Sequence, residues 1–413
     1  MEEAYNVAGV DVHKRMLAVA VANARETELS FECGRFGTTS SELQRLAAWL
    51  RERAVRELVM ESTAQYWKPV WLALEGQCRL HLAQARSNRG PRGRKTDFRD
   101  AQRLVSRLLC GDLVLSYVPE AEQRRWRTLA RTKQQLVRDK VRLQSQLETL
   151  LEEAQIKLSS VLSDLLGVSG RRILRALAEG EADARRLAEL ADGRLHASKA
   201  DLLNALNAAP HAVHRQVLSL YLARLELLES QMAVLDSSLA QALAEHQEAV
   251  LRLAEIPGLG IESAQQILAE IGPQAAAFPS AEQLASWVGV CPGRQESAGE
   301  SNDNRSPKGN RALRRLLNQA AHAAVKKNGS YFQVLLRRWL PHMGYKKAIW
   351  AIAHRLCRLI WKILHERVRY IEQGMAPTPT PQARQRRRHY LVAQLRRLGY
   401  QVALTPMTPA PIG

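Results

Sequence analysis

The chain reads as an α/β domain followed by an all-α region. Two patterns predict this division. Short apolar runs, some alternating by twos, occupy the first 85 residues, and from about Glu120 the apolar period is helical throughout. At roughly 150 residues per domain, 413 residues allow two to three domains. We expect an α/β domain over 1–118, a helical connector over 119–250, a mainly helical domain over 251–372 and a basic, partly disordered tail over 373–413.

The elements follow in order. Asn6–Val12 (NVAGVDV) is a strand carrying an acid, Asp11, near its end. Met16–Val21 and Leu29–Phe36 are strand-like, Ser41–Arg53 is helical, and Glu57–Met60 is a buried strand closing on Glu61. Cys78–Gln84 is a further strand, followed by a Gly/Arg/Pro loop at Ser87–Lys95 and a helix at Asp97–Leu109. Leu129, Leu136, Leu143 and Leu150 then recur every seven residues. So do Leu218, Leu225, Met232 and Leu239, with Tyr221, Leu228, Leu235 and Ala242 on the adjacent seam. Such a repeat fits a coiled coil, within one chain or between subunits, and equally a helical-bundle core.

Glu255–Gly272 is a helix end, a Pro-Gly-Leu-Gly turn and a second helix. Gly258 and Gly260 would let backbone amides face a phosphate, as in a helix–hairpin–helix; an ordinary helix–helix turn has the same pattern. Cys291–Asn310 is too rich in Gly, Ser and Asn for regular structure, and basic amphipathic segments follow at Arg311–Lys327 and Tyr345–Val368. Beyond Ala376 the pattern is a Pro/Thr linker, a short Arg-rich helix and a disordered end.

Composition excludes several classes. Apolar residues make up 46% and charged residues 24%, against wholesale disorder. No run approaches a membrane span, the N-terminus lacks the layout of a secretory signal, and the five scattered cysteines suggest neither a disulfide frame nor a zinc site, so a cytosolic protein is expected. The net charge of +19 is local. From Arg305 to Gly413 there are 22 basic residues against two acids, Glu366 and Glu372, whereas the preceding 304 residues hold 38 basic and 39 acidic. A field of that kind attracts a polyanion, nucleic acid above all; a solvated basic face is the bland alternative. Lys14, Arg94, Lys95, Lys308, Arg311, Arg314 and Arg315 are the cations we expect at phosphates, with Gly258 and Gly260.

Four acids stand out by their order: a strand-end Asp11, a strand-end Glu61, and Asp97 and Asp100 three apart on one helix face. Brought together, four carboxylates can hold two Mg²⁺ ions for phosphodiester chemistry, and hard oxygen donors favour Mg²⁺ over zinc. Separately, each acid could be an exposed strand end or a helix cap.

The wording around these acids resembles a known family. VAGVDVHK, VMESTAQYW and KTDFRDAQRL are similar to the RuvC-like DEDD domain of the Piv-like insertion-sequence transposases. IPGLGIESAQQILAEIG and CPGRQESAGESNDNRSPKGNRALRRLLNQAA resemble that family's C-terminal transposase domain, and the resemblance spans roughly residues 5–330. It implies an RNase H-like fold, Mg²⁺ at Asp11, Glu61, Asp97 and Asp100, and a serine that attacks DNA. It further implies a structured bridge RNA as guide for some members. Of the loop serines Ser297, Ser301 and Ser306, the family's motif points to Ser297, in E-S-A-G.

The function this implies is a DNA transposase or recombinase that cuts and rejoins strands through a phosphoserine link. Ser297 and the acid quartet would meet in a composite site, and DNA ends, target DNA and guide RNA would be the partners. Dimers or tetramers are expected, because exchanging two duplexes takes several cuts. Two rivals remain open: a Mg²⁺-dependent junction-resolving nuclease that uses activated water, and a non-catalytic nucleic-acid-binding relic.

Overall fold

The structure is a computed structural model describing residues 5–25, 28–62, 64–85, 96–192, 197–208, 210–292, 296–297, 300–301, 306–372, 385, 388–393 and 401–402. It divides into two units, Met1–Glu120 and Ala121–Gly413.

In the first unit, β1 (Asn6–Val12) pairs antiparallel with β2 (Met16–Asn23), and β2 antiparallel with β3 (Glu32–Gly37). After α1 (Ser40–Glu52), β4 (Val55–Ser62) returns parallel to β1 on its other side. Then α2 (Trp67–Leu74) leads to β5 (Arg79–Leu82), parallel to β4, and α3 (Asp97–Leu109) follows. The sheet order is β3-β2-β1-β4-β5. This mixed sheet is consistent with an RNase H-like domain. The short helix α2 was not expected from the sequence; Pro69 stands in its first turn, where a missing N–H costs nothing.

Both faces of the sheet are covered, and this is why β1 and β2 are almost continuously apolar. Ala8, Val10 and Val12 pack with Leu17, Leu46, Leu58 and Leu74 in one core cluster, with residues of α1 and α2. On the other face, Val7 packs with Val105 of α3, and Val59 with Leu104. Gly9 makes that second face possible. A Cβ there would lie 2.2 Å from the Ala101 carbonyl oxygen, so only glycine lets α3 come this close. Thr96 caps α3 by accepting from the Arg99 amide at 3.4 Å.

In the second unit, the long helix α4 (Ala121–Glu153) packs along α9 (Ala212–Ala242). Between them the chain forms α5 (Leu158–Val161), α6 (Val168–Glu179), α7 (Ala184–Glu189) and α8 (Lys199–Leu206), which share the same core. Of the heptad positions, Leu143, Leu150, Leu218, Leu225, Leu228 and Leu239 are buried, whereas Leu129, Leu136 and Met232 are only half-buried. The two helices are also tied by charge. Glu229 on α9 accepts from Arg171 at 2.7 Å and from Lys140 at 2.6 Å, contacts that hold its carboxyl down at about 2.

A 3-10 turn (Ala244–His246), α10 (Gln247–Ala254), α11 (Ile261–Ile271) and α12 (Ala281–Val288) come next. Then follow β6 (Glu296–Ser297), β7 (Glu300–Ser301), α13 (Arg311–Ala324) and α14 (Tyr331–His365). The segment expected to be irregular thus contains a minimal antiparallel pair, Glu296 with Ser301 and Ser297 with Glu300. Two residues per strand suffice for such a pair, which is below the length at which periodicity can be read. The basic stretch from Tyr345 belongs to a longer helix, α14, bent at Gly344 (φ 73°) three residues after Pro341. Residues 388–393 are helical, and the rest of the expected linker and tail lies almost wholly outside the described residues. Among the described residues no helix is long and apolar enough to cross a membrane. All five cysteines are free, and burial pushes the Cys78 thiol up to about 11.

Candidate active site

The first-unit acids are positioned by register. Asp11 of β1 and Glu61 of β4 are Cα partners on adjacent parallel strands, so both side chains leave the sheet on one face. Gly9 and Val59, two residues before each, pack on α3, so this is the face α3 covers. The first turn of α3 carries Asp97 and Asp100.

Of these acids, Asp11 and Asp97 come together around a residue the sequence reading had not singled out. The His13 Nε2 lies 3.2 Å from Asp11 Oδ2 and 3.4 Å from Asp97 Oδ1. Ligand atoms of Asp11, His13 and Asp97 all lie within 4.8 Å of one another. Asp100 stands one helical turn on from Asp97, is 7% exposed, and accepts from Arg103 at 2.7 Å. Glu61 is half-buried. Neither Glu61 nor Asp100 joins the three-residue group. His13 stands in the VDVHK stretch, two residues beyond Asp11, where β1 turns into β2 and the His13 amide donates to the Met16 carbonyl at 3.0 Å. Its position next to a strand-end acid was the available signal.

The donor set fits a hard divalent cation. Two carboxylates with half-exposed His13 offer oxygen donors first and one imidazole nitrogen second. Lys14 is exposed beside this group, whereas Arg94 and Lys95 lie outside the described residues.

In the second unit the backbones of Ser297 and Ser301 are described only as the short strand pair. The chain that leaves their loop is clamped at several points. The Asn310 amide donates to the Val288 carbonyl at 3.1 Å, and its side-chain oxygen caps α13 by accepting from Ala312 and Leu313. Gly309 (φ 45°) passes so close to Val288 that a Cβ would lie 2.0 Å from its oxygen. Ser306, one of the three serines, accepts from Trp350 Nε1 at 2.7 Å.

Asn310 also reaches a buried charge. Its Nδ2 donates at 2.8 Å to Glu270 of α11, which is 1% exposed. Burial would raise the Glu270 carboxyl. The Arg131 guanidinium, bidentate at 2.7 and 2.9 Å, and the nearby Arg127 outweigh burial and hold it below the usual range.

The expected phosphate contacts divide into two groups. Arg314 is occupied internally: its guanidinium donates to the carbonyls of Gly289 and Pro307 and lies 4.8 Å over the Trp350 ring, and burial lowers its pKa. Lys308, Arg311 and Arg315 are exposed. Gly258 (φ 86°) faces α13, where a Cβ would lie 2.3 Å from the Ala320 oxygen and 2.6 Å from the Ala324 nitrogen. It serves a close helix approach. Gly260 alone has open space ahead of α11, and Glu262 in the first turn of that helix is held by Lys133 at 2.7 Å.

Known families match both ends of the chain. Residues 8–156 match a DEDD domain family described as "Transposase", and residues 250–336 match the "Transposase IS116/IS110/IS902 family". The "Transposase for insertion sequence element IS1111A" of Coxiella burnetii is 30% identical over 151 residues, covering 35% of this chain and 41% of that protein. The "Insertion element IS900 uncharacterized 42 kDa protein" of Mycobacterium paratuberculosis is 25% identical over 144 residues, 35% of this chain and 36% of its own length. The chain spans about two fifths of the length of these curated relatives.

Proposed function

We propose that this chain, matched in two separate regions by transposase family models, is a member of the IS116/IS110/IS902 transposase family and cuts and rejoins DNA as the recombinase of an insertion sequence. The observation that carries this reading is the meeting of Asp11 and Asp97 on the α3 face of the sheet, with Glu61 in register beside Asp11.

Asp11, Glu61, Asp97 and Asp100 would hold Mg²⁺, which when bound would offset negative charge on the attacking and leaving oxygens. His13, its Nε2 3.2 Å from Asp11 Oδ2 and 3.4 Å from Asp97 Oδ1, would add one imidazole nitrogen to that donor set. Ser297 supplies the nucleophile: its Oγ forms a bond to a DNA phosphorus as the P–O3′ bond breaks, the hydroxyl proton passes to solvent, and the leaving oxygen takes a proton from solvent and departs as a 3′-hydroxyl. The phosphoserine link conserves bond energy, so reversal by a new 3′-hydroxyl rejoins strands without ATP. Sequence choice passes to base pairing with an element-encoded guide RNA, and the working form is a dimer or tetramer in the cytosol. The basic C-terminal quarter and the clamped exit of the serine loop both support this reading.

The test is the covalent intermediate. Parent protein incubated with DNA ends and Mg²⁺ should yield a protein–DNA adduct, and Ser297→Ala should yield none while binding DNA as the parent does. Adducts that persist in the variant, or hydrolysed ends formed without any adduct, would refute the serine route and leave the water-using nuclease.

A further inference from the structure

A groove of about 470 Å³ opens in the second unit between α4, α11 and α13. Its cations are Arg138 and Arg142, one helical turn apart on α4, and Arg315 on α13. No carboxylate lines it. Arg142 has one acidic neighbour, Asp139 at 3.4 Å, an exposed pair of the kind that contributes little and opens readily. Gln134, Gln266 and Gln319 add side-chain amides, and the first two bond to each other at 3.3 Å. The floor is aliphatic: Leu316 is buried, but Val137 and Val141 are 42% and 59% exposed.

This combination selects against most ligands. A compact anion would be served by the arginines alone and gains nothing from an aliphatic floor. An acidic peptide could bond to the amides through its backbone, but it brings no flat ring faces to the aliphatic floor. A nucleic-acid strand uses all three: phosphates meet guanidiniums, sugar and base faces lie on Val137 and Val141, and glutamine amides bond to phosphate or base edges. We propose that the α4–α11–α13 groove is a binding site for a nucleic-acid strand, held by Arg138, Arg142 and Arg315. The proposal rests on the nucleic-acid-processing function inferred above and adds a site outside the acid and serine residues. DNA and RNA share the phosphodiester chemistry, and the experiment separates them.

The full chain and Arg138→Gln/Arg142→Gln/Arg315→Gln are titrated with labelled single-stranded and duplex DNA and with structured RNA, across a range of salt. A control replaces three exposed arginines elsewhere in the unit, Arg172, Arg185 and Arg224, by glutamine. Losing three phosphate contacts should lower affinity about tenfold or more and reduce the salt slope by about two for the strand the groove takes. The control should change neither beyond the effect of net charge. Should the groove variant misfold, the parent alone still decides, because arginine modification by phenylglyoxal should spare Arg138 and Arg315 only when the strand is bound. Unchanged affinity and slope, equal losses in the control, or unprotected arginines would overturn the proposal while leaving the recombinase reading intact. A parent that binds no nucleic acid would sink both.

Discussion

Asp11 and Glu61 occupy paired positions on neighbouring parallel strands, and Asp97 approaches Asp11 from the first turn of the helix above them. Strand register sets the first pair and the close approach at Gly9 sets the second. The site therefore depends on a glycine that carries no chemistry. Asp11→Asn should weaken Mg²⁺ or Mn²⁺ binding about tenfold or more by calorimetry while leaving the thermal midpoint within a few degrees, since removing one carboxylate lowers the ligand charge that sets affinity. His13→Ala should affect Mn²⁺ more than Mg²⁺, because imidazole is the softer donor. Metal binding that is indifferent to Asp11 would remove the cation from this group.

Gly258 and Gly260 should separate cleanly. Gly258→Ala places a methyl against backbone atoms of α13 at a left-handed φ, so a loss of about 2 kcal/mol or more in denaturant unfolding is expected. Gly260→Ala meets nothing within 4 Å and should cost less than about 1 kcal/mol. Equal costs would mean that α13 does not pack on this turn.

Glu270 is buried against Arg127 and Arg131 and bonds to Asn310. Glu270→Gln leaves two guanidiniums without their counter-charge and should destabilise the second unit by about 3 kcal/mol. Asn310→Ala loses both a helix cap and the Glu270 contact, and should cost about 1–2 kcal/mol. Chemical denaturation of each variant measures this. A neutral Glu270→Gln would show that the arginines find other partners.

Glu229 predicts an acid limit. Its carboxyl is held down to about 2 by Arg171 and Lys140, below the usual value of about 4.3. A depressed folded pKa stabilises the fold at pH values above the ordinary carboxylate pKa, and the contribution is lost as pH falls from there toward 2. Glu229→Gln should flatten the fall of the thermal midpoint across that window. Parallel midpoint-versus-pH curves for parent and variant would refute the assignment.

Local pattern carried much of the outline. Strand β1 and helix α3 fall where apolar spacing and capping residues indicate, because those signals act within a few residues of themselves. The acids Asp11, Glu61, Asp97 and Asp100 were visible as a series, and the heptad leucines as a repeat. Their partners were not. Whether the leucines served one chain or two was undecidable from period alone; in the structure α4 meets α9 of the same chain. His13 acquires its place only because Asp97, 84 positions later, is folded back beside it. Arg314 looks like any other basic residue on an amphipathic helix until the carbonyls of Gly289 and Pro307 close around it. The amino-acid order by itself determined most of the longer strands and helices and where the positive charge accumulates, since these depend on near neighbours and composition. Tertiary structure alone decided which charges are spent internally, which face solvent and which acids meet, because each of those outcomes is set by groups far apart along the chain.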